Sequence, residues 1–526
     1  MPVLTGVDVL AVQRFVFASN RLRDVATASW LLEQVTRDDV VAHAEAAGGE
    51  ALTAAGAVAV LRFADRTAAA RFAGSYSRHL LERLPEADVA FAHREYRDGA
   101  LAQALLAVQI DLARAKTELL PSVPLRGLAV TAACRDTGLP AVTVQAEAEQ
   151  SAVPLAAVPA EGRRVRNDVR GQYDWVLEAA RAAQPRDRPL PDRMQFPLLI
   201  DDVAGSSAGD RSEVAVVHVD GNQIGALISR RLRNLVQRGA SDSTVTQEYR
   251  LLSDSLSERG RAMLAAAGRR LVDSVVQQGP GWQVAGAVQE LDVPLVTAAD
   301  GAVQLPLRPV LLGGDDLTLV CDGRIALDLA ATAVEEFAAP DAAGSGTQLS
   351  ACAGVAVVPA HAPFLRAYQL AAELCTSAKA RWRTTGGIGG AMDWHLGSVP
   401  PGQTVPSLRS ARAEQGQQLT CRPYTIGSAT GVTSWEWFRT ELLPGLRGGS
   451  WASARGKVHA LAEATPRGSD AVHDLLETWR VVTPELTLPP PLDHDDPFAG
   501  TAATPLLDAA ELLDRAQFLL PAGKRP

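Results

Sequence analysis

The sequence predicts an α+β protein, with two small domains of mixed strands and helices and a helical C-terminal region. Strand-like and helix-like segments alternate over residues 1–150 and again over 198–400, an order that suits ferredoxin-like topology in both. A Pro- and Arg-rich stretch, 151–197, lies between them and is predicted to be a connector. After the Pro400-Pro401-Gly402 break, residues 401–526 show helical periodicity with polar caps, which predicts a helical domain.

The elements of each domain follow from hydrophobic periodicity. In the first domain we predict strands at Val3–Val12, Ala57–Phe63 and Ala87–Ala92 and helices at Arg21–Ala47, Arg66–Leu84 and Ala100–Leu120. In the connector we predict one helix, Tyr173–Ala183. In the second domain we predict strands at Val214–Asp220, Trp282–Glu290, Val310–Leu312, Leu317–Cys321, Leu349–Val358 and Ile388–Trp394 and helices at Ile224–Val236, Val245–Val276, Ile325–Phe337 and Phe364–Arg383.

The composition is that of a globular protein without a general affinity for nucleic acid. Of 526 residues, 47% are hydrophobic and 21% are charged, which is enough for a large core. The formal net charge of −9 provides no overall basic field. No apolar run approaches the ~20 residues that span a bilayer, so a cytoplasmic protein is expected. The cysteines form no C-x-x-C pair, which predicts reduced thiols and no zinc site: Cys134, Cys321, Cys352, Cys375 and Cys421.

Two glycines and two aspartates interrupt an apolar run in the stretch Leu311–Val320. This pattern predicts a β-hairpin with Gly313-Gly314-Asp315-Asp316 at its tip. Glycine permits a positive φ and a close approach of the backbone to a ligand. Adjacent aspartates repel each other, and a divalent cation shared with a polyphosphate removes that conflict. The alternative is a solvated acidic turn, since Gly and Asp are common in turns.

A second motif lies upstream, where the apolar strand Val214–Asp220 leads through Gly221-Asn222 into an amphipathic helix. A strand that is buried on both faces meets ligands at its C-terminal end. If the hairpin pairs beside this strand, Asp220 converges with Asp315 and Asp316. Carboxylates that arrive from separate strands suit a Mg²⁺ or Mn²⁺ site shared with substrate phosphates, as in nucleotidyl transfer.

Three further segments accompany these motifs in a fixed order: VDVLAVQRFVFASNRLRDVATASWLLEQV (7–35), ACAGVAVVPAHAPFLRAYQLAAELCTSAKARWR (351–383) and RPYTI (422–426). The ordered set resembles the palm domains of Cas10/Cmr2 proteins, the large subunits of type III CRISPR complexes, whose palm is related to GGDEF cyclases. The resemblance covers residues 1–150 and 198–430. It implies two ferredoxin-like palms, RRM-like or cyclase-like, of which the first is degenerate because it has no Gly-Gly-Asp-Asp tip.

Full-length members of the family often carry an HD nuclease domain at the N-terminus, and we expect none in this chain. The dipeptides His473-Asp474 and His494-Asp495 do not stand among other spaced metal ligands, and the chain starts directly with the palm-like segment. The family segment that matches 133–141 usually carries a Cys pair. Only Cys134 is present here, which again predicts no zinc.

The resemblance assigns roles to particular residues. Lys379 is expected to neutralise triphosphate charge, or else only to favour the C-terminal end of its helix. Ser19 and Asn20 are expected either to cap the following helix or to face the phosphates of a second nucleotide. Asn222 stands where related cyclases often carry Asp, so it adds no charge. Asp220, Asp315 and Asp316 are the expected metal ligands, and Gly221, Asn222, Gly313 and Gly314 the expected nucleotide contacts.

The implied function is a Mg²⁺- or Mn²⁺-dependent nucleotidyltransferase or cyclase. It joins ATP, or another nucleoside triphosphate, into a linear or cyclic oligonucleotide in antiviral defence. The alternative is a catalytically silent nucleotide-binding scaffold of a CRISPR-type RNA-guided complex. The expected partners are nucleoside triphosphates, CRISPR-type protein subunits, guide and target RNA, and a second copy of the chain as a homodimer. No membrane is expected.

Overall fold

The computed structural model describes all residues except 86, 121–129, 148–149, 206–211, 341–348, 401, 411–412, 415–416, 428–429, 493–495, 500 and 521–526. The dipeptide His494-Asp495 therefore lies outside the described residues. Within the described part, no helix is both long and apolar enough to span a bilayer. Two palm-like sheets with their helices, followed by C-terminal helices, confirm the predicted α+β fold class.

The first domain consists of β1 (Val3–Leu10), α1 (Val12–Val16), α2 (Leu22–Glu33), α3 (Val40–Ala46), β2 (Glu50–Ala55), β3 (Val58–Phe63), α4 (Arg66–Arg83), β4 (Asp88–Glu95) and α5 (Leu101–Glu118). The described strands form an antiparallel sheet in the order β2-β3-β1-β4. A π-helical turn at Gln34–Asp39 joins α2 to α3, so the long predicted helix has an irregular centre. Strand β2 is absent from the prediction.

The connector, residues 151–197, contains more structure than its one predicted helix. Between α5 and the second sheet, the chain forms β5 (Thr143–Glu147), β6 (Gln150–Leu155), α6 (Ala157–Arg164), α7 (Arg166–Gly171), α8 (Asp174–Ala182), β7 (Met194–Gln195) and α9 (Ile200–Val203), of which β5 precedes the connector and α9 follows it. Helix α8 matches the prediction and packs on the second domain. A Cβ placed on Gly268 of that domain would lie 2.3 Å from Val176 Cγ1. The connector is therefore part of the packed core.

The second domain consists of β8 (Glu213–Gly221), α10 (Ile224–Gln237), α11 (Asp242–Val272), β9 (Val275–Gln278), β10 (Gly281–Val284), β11 (Val293–Pro294), β12 (Val296–Thr297), β13 (Val303–Gln304), β14 (Leu307–Gly313), β15 (Asp316–Asp322), α12 (Ala326–Ala338), β16 (Ala351–Pro359), α13 (Phe364–Thr384) and β17 (Gly390–Leu396). Its main sheet runs β14-β15-β8-β16-β17. The prediction of a palm strand at Trp282–Glu290 is wrong, because β10 ends at Val284 and pairs with β9 and β11 in a separate small sheet.

The C-terminal region contains α14 (Val405–Ser410), β18 (Ala413–Glu414), β19 (Gln417–Gln418), β20 (Tyr424–Ile426), α15 (Trp435–Trp437), α16 (Leu443–Arg447), α17 (Arg455–Ala464), α18 (Ser469–Arg480) and α19 (Leu506–Leu512). Strand β20 lies beyond the predicted boundary at residue 400, yet it adds a sixth strand to the palm sheet by pairing with β17. Trp394 of β17 stacks on Tyr424 of β20 at 5.2 Å, so the two regions share one core. The four-part domain division stays a proposal.

The two sheets are arranged alike. Each has a hairpin beside a central strand, β2-β3 beside β1 in the first domain and β14-β15 beside β8 in the second. Asp8 faces Val58 in the first sheet as Asp220 faces Asp316 in the second. The two hairpin tips touch, because a Cβ on Gly313 would lie only 3.0 Å from the Cα of Gly56.

Candidate active site

Asp316 lies directly opposite Asp220 on neighbouring antiparallel strands. Strand β15 pairs with β8 so that Asp316 faces Asp220 and Thr318 faces His218. Residues two apart in a strand share a face, so His218 and Asp220 follow Val216 on the side of the sheet that packs against α13. The structure thus brings together two motifs that are far apart in the sequence.

A two-residue turn presents Asp315 at the tip of the β14-β15 hairpin. Gly313 pairs with Asp316, and Gly314 between them has a φ of 66°. A glycine of positive φ at the first turn position suits a turn that matches the twist of its strands. The Asp315 carbonyl accepts a hydrogen bond of 3.1 Å from the Gly221 N–H. A Cβ on Gly221 would lie 2.7 Å from the Asp315 Cβ, so this close approach requires glycine.

Lys379 reaches the end of β8 from helix α13. Its Nζ lies 2.6 Å from Asp220 Oδ2 and donates a second hydrogen bond of 2.9 Å to the Gly221 carbonyl oxygen. The side chain is 19% exposed, so it points into the site instead of extending into solvent. This position favours the interpretation in which Lys379 meets substrate charge. Its contact with a triphosphate stays a prediction.

The site carries more negative charge than Lys379 alone balances. Burial raises the pKa of Asp315 to about 6, and the charges of Asp220 and Asp316 contribute to the rise. The Oδ1 atom of Asp316 is buried without a hydrogen-bond partner. Mutually repelling carboxylates with an unsatisfied oxygen are a donor set that fits a hard divalent cation such as Mg²⁺.

Among the described residues, no group of three His, Cys, Asp or Glu side chains is arranged as a complete metal site. The Lys379 ammonium lies against Asp220 Oδ2. Mg²⁺ usually takes only one or two protein carboxylates, and substrate phosphates and water supply its other ligands. A role of the three aspartates as metal ligands therefore stays a prediction.

The Asn222 side chain is buried beside the strand end. Its backbone N–H donates to the Ser350 carbonyl at 2.8 Å, and its Nδ2 donates to Ser350 Oγ at 3.1 Å. Its Oδ1 is buried without a partner. These hydrogen bonds connect the end of β8 to the residue before β16. The contact of Asn222 with a nucleotide stays a prediction, and its Oδ1 is the atom that has no protein partner.

His218 belongs to the site, although the sequence motifs did not single it out. The side chain is 7% exposed, and its Nδ1 lies 3.3 Å from Asp316 Oδ1 and 3.2 Å from Thr318 Oγ1. Burial lowers the pKa of His218, but the contact with Asp316 and the charge of Asp220 outweigh burial and leave the pKa raised. The available signal was its position two residues before Asp220, on the same face of the strand.

Ser19 and Asn20 have other partners in the structure. Ser19 is buried and donates to Asp24 Oδ2 at 2.8 Å. Neither residue caps the following helix as predicted, because the N-cap of α2 is Arg21, without a side-chain hydrogen bond. Asn20 Oδ1 accepts a hydrogen bond of 3.3 Å from the N–H of Phe364, at the start of α13. A contact of either residue with a second nucleotide stays a prediction.

The first domain keeps half of the arrangement. Lys116 of α5 binds Asp8 of β1 with an Nζ to Oδ2 distance of 2.7 Å, as Lys379 binds Asp220. At the tip of its hairpin, Ala57 and Val58 stand where the second domain has Asp315 and Asp316. The sequence did not reveal this acid–lysine pair, because the correspondence depends on the register of two sheets.

A cavity of about 290 Å³ lies between the two domains beside the hairpin tip. Most of its wall is apolar, from the first-domain sheet and helices α5, α10 and α11. Asp315 forms part of its edge. A few polar side chains also line it: Thr53, Gln109, Tyr249, Ser253 and Ser257. An apolar cavity with a few polar groups is the usual form of a small-molecule site.

Residues 213–384 match the family model of the Cas10/Cmr2 second palm domain. Comparison with curated proteins finds no match. The chain is similar in structure to Csm1 in T. onnurineus, with 14% identity and a TM-score of 0.54, over 98% of this chain and 69% of that one. Csm1-Csm4 cassettes in complex with cA3 and with one ATP match at 13% and 12% identity, each with a TM-score of 0.54, over 98% of this chain and 70% of theirs.

The central strand β8 ends in Asp220, and the hairpin beside it carries Asp315 and Asp316. This arrangement is that of a palm-domain protein. The palm formed by residues 213–384 is of the Cas10/Cmr2 type, and the chain as a whole has the fold of Csm1. The resemblance stated from the sequence is thereby confirmed. At these identities, the similarity to solved structures concerns the fold alone.

Proposed function

We propose that the chain is a nucleotidyltransferase that uses Mg²⁺ or Mn²⁺ to join nucleoside triphosphates, ATP foremost, into a linear or cyclic oligonucleotide. The observation that carries the proposal is the register of β8 and β15, which puts Asp316 opposite Asp220 with Lys379 bound to Asp220. Similarity to Csm1-Csm4 cassettes in complex with ATP, cA3 and cA4 supports ATP as substrate and an antiviral CRISPR-type role.

In this reaction, the 3′-hydroxyl of one nucleotide attacks the α-phosphorus of another. A new P–O bond forms, the bond to the β-phosphate oxygen breaks, and pyrophosphate leaves. Asp220 and Asp316 would hold the metal and Asp315 would assist; when bound, the metal would screen phosphate charge and favour the ionised 3′-hydroxyl, whose proton passes to solvent. The Lys379 side chain moves its ammonium contact from Asp220 to the triphosphate, and the backbone of Gly313-Gly314 lies against the nucleotide. Catalysis is positioning and charge neutralisation.

The first domain and the cavity supply places for the rest of the substrates. The cavity of about 290 Å³ between the domains is large and apolar enough for a base. The Asp8–Lys116 pair occupies the corresponding place in the first domain, beside the hairpin whose tip touches Gly313, and we propose that Lys116 meets the phosphates of a second nucleotide. We also propose CRISPR-type protein subunits as partners, because the similar solved structures include Csm1-Csm4 cassettes. Guide and target RNA are proposed as further partners of such a complex.

One observation favours the silent scaffold as a second candidate. Lys379 already neutralises Asp220, and the described carboxylates do not form a complete metal site. If Lys379 keeps this bond when a nucleotide is present, the chain binds the nucleotide without reaction.

Incubation of the pure protein with α-³²P-labelled ATP and Mg²⁺ or Mn²⁺ separates the two functions. The transferase predicts labelled oligonucleotide from the wild type and none from the double variant Asp315→Ala with Asp316→Ala. Absence of product from the wild type, alone and with type III subunits and target RNA, favours the scaffold. Product that survives the double variant removes the site assignment.

A further inference from the structure

The start of helix α13 is held by the N-terminal segment of the first domain. Phe17 stacks on Tyr368, with ring centroids 4.8 Å apart and 23° between the planes. Both rings are buried, with 2% and 7% exposure. Asn20 Oδ1 accepts a hydrogen bond from the backbone N–H of Phe364, the first residue of the helix. The segment singled out by the sequence motif therefore has a definite structural task, which is to fix α13 against the first domain.

Tyr368 continues the contact to the acidic strands. Its ring meets the ring of His218 edge to face, with centroids 5.4 Å apart and 68° between the planes. His218 Nδ1 then lies 3.3 Å from the buried Asp316 Oδ1, which is an ion-pair contact without hydrogen-bond geometry. The rings of Phe17, Tyr368 and His218 thus form an unbroken series from the first domain to Asp316, which we call the aromatic bracket.

The same helix carries Lys379 about three turns after Tyr368, on the same face. Helix α13 therefore contacts the site twice, through His218 to Asp316 and directly to Asp220. Because the first domain fixes the position of α13, it determines the geometry of both contacts.

We propose that the first domain positions Asp316 for metal binding through the aromatic bracket, with His218 as the positioning residue that orients the carboxylate. The proposal rests on the proposed function and names a residue outside its metal ligands. A carboxylate at a hairpin tip can turn about its side-chain bonds, and a packed ring with a nitrogen at its oxygen restricts that freedom. Outer partners of this kind typically change metal affinity by about 10-fold to 100-fold.

Two variants of His218 separate orientation from packing. His218→Asn keeps a nitrogen donor at the place of Nδ1 but loses ring volume, whereas His218→Leu keeps volume but has no donor. We measure the Kd of Mn²⁺ by electron paramagnetic resonance, with a saturating non-hydrolysable ATP analogue. The proposal predicts about tenfold weaker binding for His218→Leu and a smaller loss for His218→Asn, which has the donor but not the ring. Wild-type affinity in His218→Leu, or a loss in His218→Asn as large as that in His218→Leu, overturns it.

The contribution of the first domain is tested with Phe17→Leu, which removes the stack on Tyr368. Phe15→Leu is the matched control, because Phe15 is a buried ring of the same segment at 3% exposure. We expect Phe17→Leu to weaken Mn²⁺ binding several-fold, the control to leave it unchanged, and the double variant with His218→Leu to be no weaker than His218→Leu alone. Equal effects of Phe17→Leu and Phe15→Leu, or additive effects in the double variant, contradict the bracket.

The outcome is distinguishable from failure of the proposed function. If the wild type binds Mn²⁺ but makes no product from ATP, the transferase fails and the bracket is still judged by the variant affinities. If the wild type makes product and all variants bind Mn²⁺ equally, the bracket alone fails. If the wild type binds no Mn²⁺, both fail. Thermal unfolding of each variant shows whether a lost affinity reflects a lost fold.

Discussion

At the scale of single residues, Asp315 is the most costly charge at the site. Burial and its two acidic neighbours raise its pKa from 3.8 to about 6, so the ionised form is disfavoured in the fold. A group whose folded pKa is raised binds its proton more tightly in the folded state. Stability therefore falls as pH rises from 3.8 to about 6, and the full cost is present above 6. Such strain is expected where a ligand is to be bound.

We predict that Asp315→Asn stabilises the metal-free protein at pH 8. The variant removes a cost of up to ~3 kcal/mol, from a shift of about two pKa units. At pH 4, where most of the cost is absent in the wild type, the two proteins should unfold at similar temperatures. Thermal unfolding in EDTA at both pH values measures this. Equal stabilities of the two proteins at pH 8 would contradict the claim that the ionised Asp315 side chain destabilises the fold.

At the scale of elements, the acidic hairpin is clamped between two other elements. Gly56 of the first-domain hairpin touches Gly313, and Gly260 of α11 lies against Gly314. A Cβ on Gly260 would be 2.0 Å from the Gly314 carbonyl oxygen, a distance at which backbone must move. The position of Asp315 and Asp316 therefore depends on the absence of a side chain on a helix outside the sheet.

We predict that Gly260→Ala lowers product formation by at least about tenfold, because small displacements of catalytic groups have large effects. Gly74→Ala is the matched control: Gly74 also lies in a helix interior, and its added Cβ meets nothing within 4 Å. The control should be active and slightly more stable, since alanine favours helix. Turnover assays and thermal unfolding distinguish the two. An active Gly260→Ala enzyme would show that the clamp is unimportant.

The elements that the sequence predicts well are those with strong local patterns. Strand β8 and the β14-β15 hairpin are apolar runs bounded by turn residues. Strand β2, Glu-Ala-Leu-Thr-Ala-Ala, has little β-branched content and is set by its pairing with β3. His218 and the Asp8–Lys116 pair become visible only through pairing register and helix packing, which a local pattern does not contain. The acidic motifs and Lys379 were predictable from the sequence, whereas His218 and the Asp8–Lys116 pair were not.

At the scale of the whole molecule, the C-terminal region is joined to the palm by buried charge. Arg422 is fully buried and binds Asp508 at 2.7 Å and Glu511 at 2.8 Å, and Tyr424 donates to Asp508 at 3.0 Å. A buried charge left without its partner is strongly destabilising. The connection explains why the prediction of a separate helical domain after residue 400 misses β20: helix α19 and the last palm strand are stabilised together.

We predict that Asp508→Asn lowers the free energy of unfolding by about 3 kcal/mol, because it removes the fully buried carboxylate partner of Arg422 and leaves only the partly exposed Glu511 as its partner. Asp514→Asn is the control. The Arg455–Asp514 pair is 48% and 46% exposed, and pairs of that kind contribute at most about 1 kcal/mol. Urea unfolding of both variants measures the difference. Similar small losses in both would contradict a shared core.

The central claim is that Asp220 and Asp316 share a divalent cation with the phosphates of a nucleotide. Electron–nuclear double resonance on the protein with Mn²⁺ and a non-hydrolysable ATP analogue tests it most directly, because phosphorus bound to the metal gives a ³¹P coupling. We predict a ³¹P coupling in the wild type and its loss in Asp220→Ala with Asp316→Ala. A wild type without the coupling, or a double variant that keeps it, would contradict the account.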